Sequence, residues 1–215
     1  MSFRSMRNLM TVLVWSMCGL SFCQTSEYFG GMDLHDGIYL RFSDFKYNTP
    51  SVPLEQLRDA QGLTVPDIRQ ARGKLQWQPD SGEQRTVDLQ RIWGFCQNDV
   101  VYIAGGNGFF RIGLMGSISH MVVEQTYRDW NPYMSSYGQP YGSTTRTVLV
   151  QQLLDMETGN YLPFNASGMD QVLQHDPVLL EEFRALPKKG RNRDEALFRF
   201  MRLYNDRHPL FFPAH

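Results

Sequence analysis

Cysteine is scarce: three in 215 residues. Two of them, Cys18 and Cys23, fall within the first two dozen positions, so a chain that loses its leader keeps only Cys96. One thiol excludes an internal disulfide and any zinc site built on cysteine pairs. Net charge is also small. With 21 basic and 22 acidic residues the formal charge is −1, which lacks the basic surplus expected of a nucleic-acid binder. The basic run that stands out is "KKGRNR" at 188–193, which reads as a solvated linker between helices, with contact to anionic lipid headgroups as the alternative. Beyond the N-terminus no stretch reaches the roughly 18 apolar residues of a membrane-spanning helix. Internal repeats are missing, as are H-x-H and H-E-x-x-H spacings, so no metal and no cofactor is expected.

What is present begins with a leader. Arg4 and Arg7 precede the uncharged apolar stretch "LMTVLVWSMCGLSF" at 9–22, and Ser21 and Cys23 supply small residues for cleavage after Cys23. Residues 1–23 are therefore expected to be a signal peptide, and the mature chain to be exported to the periplasm, the cell surface or the medium. Acylation of Cys23 as a lipid anchor is disfavoured, because Phe22 stands where lipid-attaching processing requires a small residue.

The hydrophobic fraction of 42% and charged fraction of 20% are those of a globular chain. Aromatic residues at 13%, with 18 glycines and 11 prolines, favour strands joined by tight turns. Residues 24–36 read as a mobile lead-in and 37–165 as a β-rich core. "GIYLRFSDF" (37–45) has strand alternation, "LEQLRDAQG" (54–62) suits a short helix, and "PDSG" (79–82) turns between strands at 74–78 and 84–89. "RIWGFC" and "VVYIA" flank "QND", and "GGNG" (105–108) turns the chain into "FFRIGLMG", which together predict a β-meander. A long Tyr-rich loop is expected over 128–145, and then a strand over 146–155. The C-terminal part, 166–215, is expected to be helical. Asp176 is placed to cap a helix that opens with Pro177, and Leu197, Phe200, Met201 and Tyr204 form the apolar face of a last helix over 193–209. The fold class is then α+β: an antiparallel meander, roll or partly open barrel with two or three C-terminal helices packed on it.

Four segments, "DGIYLRFSDFKYNTPS", "RIWGFCQNDVVYI", "LLDMETGNYL" and "ALFRFMRLYNDRHPLFF", together resemble a family of uncharacterised exported proteins of Bacteroidetes bacteria. The resemblance implies export and a shared fold. It implies no activity and no catalytic residue, and the Tyr-rich loop lies outside it.

Several residues look chemical and have plainer readings. Cys96 has no base with a local signature beside it and reads as a strand thiol, sharing a face with Gly94 and Ile92 while Trp93 and Phe95 point the other way. "GNGFFR" lacks the third glycine of a dinucleotide loop and the lysine of a Walker loop, so its glycines read as a hairpin turn. The His-Asp pairs at 35–36 and 175–176 are sequence neighbours that cannot both reach one metal. In "SISH" (117–120) the serines and His120 alternate to opposite faces. The favoured site is the Tyr-rich segment: Tyr127, Trp130, Tyr133, Tyr137 and Tyr141, rigid amphipathic rings among Gly, Ser, Asn and Pro, as in binding loops. The expected function is a non-catalytic envelope or surface interaction module for a protein, peptide or glycan. The alternative is a hydrolase assembled from dispersed His, Asp, Ser and Cys residues.

Overall fold

The computed structural model describes residues 25–79, 82–105, 108–130 and 143–214. The chain opens with β1 (Thr25–Glu27) and β2 (Gly37–Tyr39), and then departs from the strand expected over 37–45: it turns into a short helix, α1 (Phe42–Lys46). The cause is polar. The Asp44 carboxylate accepts the Arg41 N–H at 3.0 Å and the Ser51 hydroxyl at 2.6 Å, which closes the first turn of a helix where alternation alone predicts a strand. The helix expected over 54–62 also fails to form. After β3 (Val52–Pro53) a single 3-10 turn at Leu54–Gln56 runs into β4 (Leu57–Arg58). Leu57 is fully buried in an extended conformation, and the Asp59 carboxylate accepts the N–H groups of Gln61 and Leu63, which competes with helix continuation.

The middle of the chain follows its local signals. β5 (Lys74–Trp77) and β6 (Arg85–Asp88) pair, and the Gly82 N–H donates to the Pro79 carbonyl at 2.9 Å. β7 (Gly94–Gln97) and β8 (Val100–Gly105) are joined by Asn98 and Asp99, both at positive φ (53° and 58°), a two-residue turn whose twist matches that of the strands. β9 (Gly108–Leu114), β10 (Ile118–Trp130), β11 (Ser143–Asp155) and β12 (Tyr161–Pro163) follow. The helices are α2 (Ala166–Leu173), α3 (Pro177–Ala185), α4 (Lys188–Arg191) and α5 (Asp194–Arg207), and β13 (Phe211–Pro213) ends the chain's regular structure. α4 lies in the stretch expected as a bare linker. Asn165 caps α2 through the N–H groups of Ser167 and Gly168, and Asp176 caps α3 with Pro177 at its first position.

The strands form an open eight-stranded antiparallel sheet in the order β12-β11-β10-β9-β8-β7-β2-β3, a three-stranded sheet β4-β5-β6, and the ribbon β1-β13. The expected α+β class and the central meander β7-β8-β9-β10 are present; the large sheet does not close into a barrel. Side chains leave it toward two layers. On one face Tyr39, Cys96, Ile103, Ile112, Met121 and Leu154 pack under α1 and the terminal ribbon, centred on Phe45 and Phe212. On the other face the cover is split. At the β2–β7 end Ile38 and Phe95 pack against the three-stranded sheet through Leu57, Leu75 and Val87. At the β10–β11 end Ile118 and Leu153 pack against Leu173, Phe183, Leu197 and Phe200 of the helices.

Two sequence expectations are corrected by this packing. Residues 25–36 are tied into the fold: Thr25 to Glu27 pair with Phe211 to Pro213, and buried Leu34 donates its N–H to Asp99. Cys96 does not share a layer with Ile92. β7 begins only at Gly94, and ahead of it the phase slips, so Trp93 stacks on Phe45 in the Cys96 layer while Ile92 packs with Phe95.

Candidate binding surface

β10 and β11 are far longer than the sheet needs. They pair without a break from Ile118↔Asp155 to Trp130↔Ser143. β9 joins β10 only at His120 and Met121, across a register shift, and β12 joins β11 only at Gln152 to Leu154. Beyond those points, among the described residues, the two strands are paired only with each other, a two-stranded arm about 26 Å long at roughly 3.3 Å per residue. Side chains from Glu124 to Arg128 and from Thr145 to Thr147 are exposed, and Leu149 is 73% exposed. Val123, at the root of the arm, is half-buried against the Phe45–Phe212 layer; from Glu124 outward the described arm has two wet faces and no core. What holds it is a ladder of cross-strand pairs: Val123 opposite Val150, a Thr126–Thr147 hydroxyl bond at 3.1 Å, and the Arg146 guanidinium 5.8 Å from the Tyr127 ring centre. Each such pair contributes about 0.2–1 kcal/mol.

The arm fixes where the expected binding residues stand. Tyr127 is on a strand rather than in a loop, exposed, with its hydroxyl donating to Gln125 at 2.8 Å. Trp130 closes β10 opposite Ser143. Tyr133, Tyr137 and Tyr141 lie outside the described residues. The expected loop at 128–145 is shortened from both sides, because 128–130 and 143–145 are in the ladder.

At the root of the arm a shallow groove of about 590 Å³ lies over β8, β9 and β10, next to α5. Tyr102, Leu114, His120, Val122 and Phe198 line it, with Arg69 and Arg111 at its rim. Arg69 lies 5.6 Å from the Tyr102 ring centre and is held by Asp67 at 2.7 Å, a pairing that lowers the Asp67 carboxyl to about 2. His120 is wedged between Phe164 and Phe198 at 4.7 and 4.8 Å, and its Nε2 meets the Gln151 amide oxygen at 2.9 Å. Burial holds its pKa below the ordinary histidine value, so the ring is neutral near pH 7. The imidazole packs edge-on between two phenylalanines, with Nε2 committed to Gln151, and forms part of the groove wall.

The other chemical candidates have structural roles. Cys96 is fully buried, and burial, then the Asp36 carboxylate, push its thiol far above the ordinary range, which is the reverse of nucleophile activation. Ser119 is buried and its hydroxyl donates to the Gly116 carbonyl at 3.0 Å. The glycines serve a hairpin: Gly105 pairs with Gly108, and a Cβ on Gly105 would stand 2.6 Å from the Phe110 ring. Among the described residues no three His, Cys, Asp or Glu side chains converge on a point that could hold a metal. One convergence escapes sequence reading. Asp176, besides capping α3, accepts from Arg207 at 3.2 Å and meets His208 Nε2 at 3.3 Å, while the Ser117 hydroxyl donates to the His208 backbone carbonyl. Serine, histidine and aspartate thus meet at one corner, but the hydroxyl is spent on the main chain and not on the imidazole. The helix N-cap at Asp176 was the legible half; its partners 31 and 32 residues on were not.

Comparison of the chain with family models, curated proteins and solved structures finds no match.

Proposed function

We propose that the chain is an exported interaction module that holds a protein, peptide or glycan through the β10–β11 arm and the Tyr-rich segment it carries, Tyr127 to Tyr141. The observation that supports this most is the arm itself: two strands extended well past the sheet they belong to, with both faces in solvent, contribute little to the fold and present a surface far from it. The leader, and the resemblance to exported Bacteroidetes proteins, support the export part of the reading. The settings of Cys96, Ser119 and His120 favour binding over the hydrolase alternative, since each is committed to packing or to a fixed hydrogen bond.

The test is to replace 131–142 by an Asn-Gly turn, which suits the Trp130↔Ser143 register. Binding of both chains to glycan arrays and to fractionated envelope protein is then measured. Lost binding at an unchanged thermal midpoint is the expected result; unchanged binding removes the arm from the function. Mass spectrometry of the mature chain should find a free Gln24; a diacylated Cys23 would overturn cleavage after Cys23 and make the exported chain a lipid-anchored one.

A further inference from the structure

The outer edge of β11 is the one that faces away from β10. Between Thr145 and Val150 no described strand pairs with that edge, and β12 begins only opposite Gln152. Natural edges are blunted by charge, proline, bulges or a covering element. This one reads "TRTVLV": no proline, one charge, and an unbroken register with β10. Its single charge, Arg146, is drawn onto Tyr127 of its own arm. The opposite edge of the arm is different, because β10 carries Glu124 and Arg128 along the same span.

We infer that two copies of this chain associate through the β11 edges, antiparallel about a twofold axis at Thr147, to make one four-stranded ribbon. The sequence of the edge is self-complementary in that register. Thr147 meets its own copy, which extends the Thr126–Thr147 hydroxyl pair into a row of four threonines across the ribbon. Leu149 falls opposite Thr145 of the second copy, and Arg146 opposite Val148. A twofold one residue earlier would set Arg146 against its own copy and is excluded by charge. The pairing sets Leu149 against the second copy, and it gives the outer edge of each two-stranded ribbon a hydrogen-bonded partner strand. The inference goes beyond the proposed capture role, because it uses the edge of the arm and not its tip.

Sedimentation velocity on the exported chain over a wide concentration range tests it. A monomer–dimer equilibrium is expected, and a monomer throughout overturns the proposal. Leu149→Lys, which sets the new charge opposite Glu124 of its own arm, should weaken the dimer at least about tenfold, because an apolar contact is lost on both sides of the axis. Adding Thr145→Asp, opposite Arg128 of its own arm, should restore it by pairing with the lysine placed at position 149 of the second copy. Those two positions lie too far apart on one strand to touch, so rescue requires a second copy in this register. Loss without rescue, or a dimer indifferent to Leu149→Lys, overturns the register. Thr147→Cys should give a disulfide-linked dimer on oxidation, with buried Cys96 uninvolved; no cross-link removes the axis from Thr147. The chain with 131–142 replaced should dimerise as before, so a failed capture role and a failed dimer are read separately.

Discussion

The two halves of β10 have the same partner strand and opposite surroundings. From Ile118 to Met121 every side chain is buried, against helices on one face and α1 with the terminal ribbon on the other. From Glu124 to Arg128 every side chain is exposed. The backbone ladder with β11 is continuous through both. Hydrogen bonding therefore does not distinguish the halves; burial does, at about 1.5–3 kcal/mol for each large apolar side chain removed from water. The ladder can be extended past the core at little cost and little gain, and the molecule uses that to carry a surface away from its centre.

Three substitutions put this contrast at risk. Phe45 is fully buried, stacked on Trp93 at 4.8 Å and edge-on to Tyr39 and Phe212. Phe45→Ala should cost about 3–5 kcal/mol in urea unfolding; a cost under 1 kcal/mol would mean that the layer beneath α1 is not the core. Asp176→Ala should cost about 1–2 kcal/mol at pH 7, since it removes the cap of α3. The carboxyl pKa is lowered in the fold, first by the Leu179 N–H and then by His208 and Arg207. Its stabilisation is therefore present above the unfolded value near 3.9 and lost as pH falls below it. The gap between wild type and variant should narrow between pH 5 and pH 3, and a gap that widens there would reverse the sign. Tyr127→Ala should change stability by less than about 1 kcal/mol while weakening partner binding. If it destabilises the fold as much as Phe45→Ala, the arm is part of the core and the contrast between the halves is lost.

Features set by neighbours in sequence were legible. The Asp176-Pro177 helix start, the turn at 79–82, the Asn98-Asp99 hairpin and the buried face of α5 each depend on residues within a few positions of one another. What was missed depends on distant partners. α1 forms where strand alternation predicts otherwise because Asp44 collects Arg41 and Ser51. The lead-in is ordered because its hydrogen-bond partners are Asp99 and the last strand. The slip at Trp93 follows from where pairing with β8 starts, which alternation within "RIWGFC" does not encode. For the candidate surface, Tyr127 and the Tyr-rich composition were visible, but the extent of the ladder was not: Arg128 and Thr145 sit in a stretch whose composition reads as loop, and only the unbroken register shows them to be strand.

The terminal ribbon has a mechanical consequence. β1 and β13 are antiparallel, with Thr25 opposite Pro213 and Glu27 opposite Phe211. Tension applied at the two chain ends therefore meets the rungs one at a time, as a zipper, instead of loading all three together in shear. A chain pulled from either end gives up this ribbon first. It would uncover Phe212, and with it the Phe45 layer, while the eight-stranded sheet beneath was still under no load.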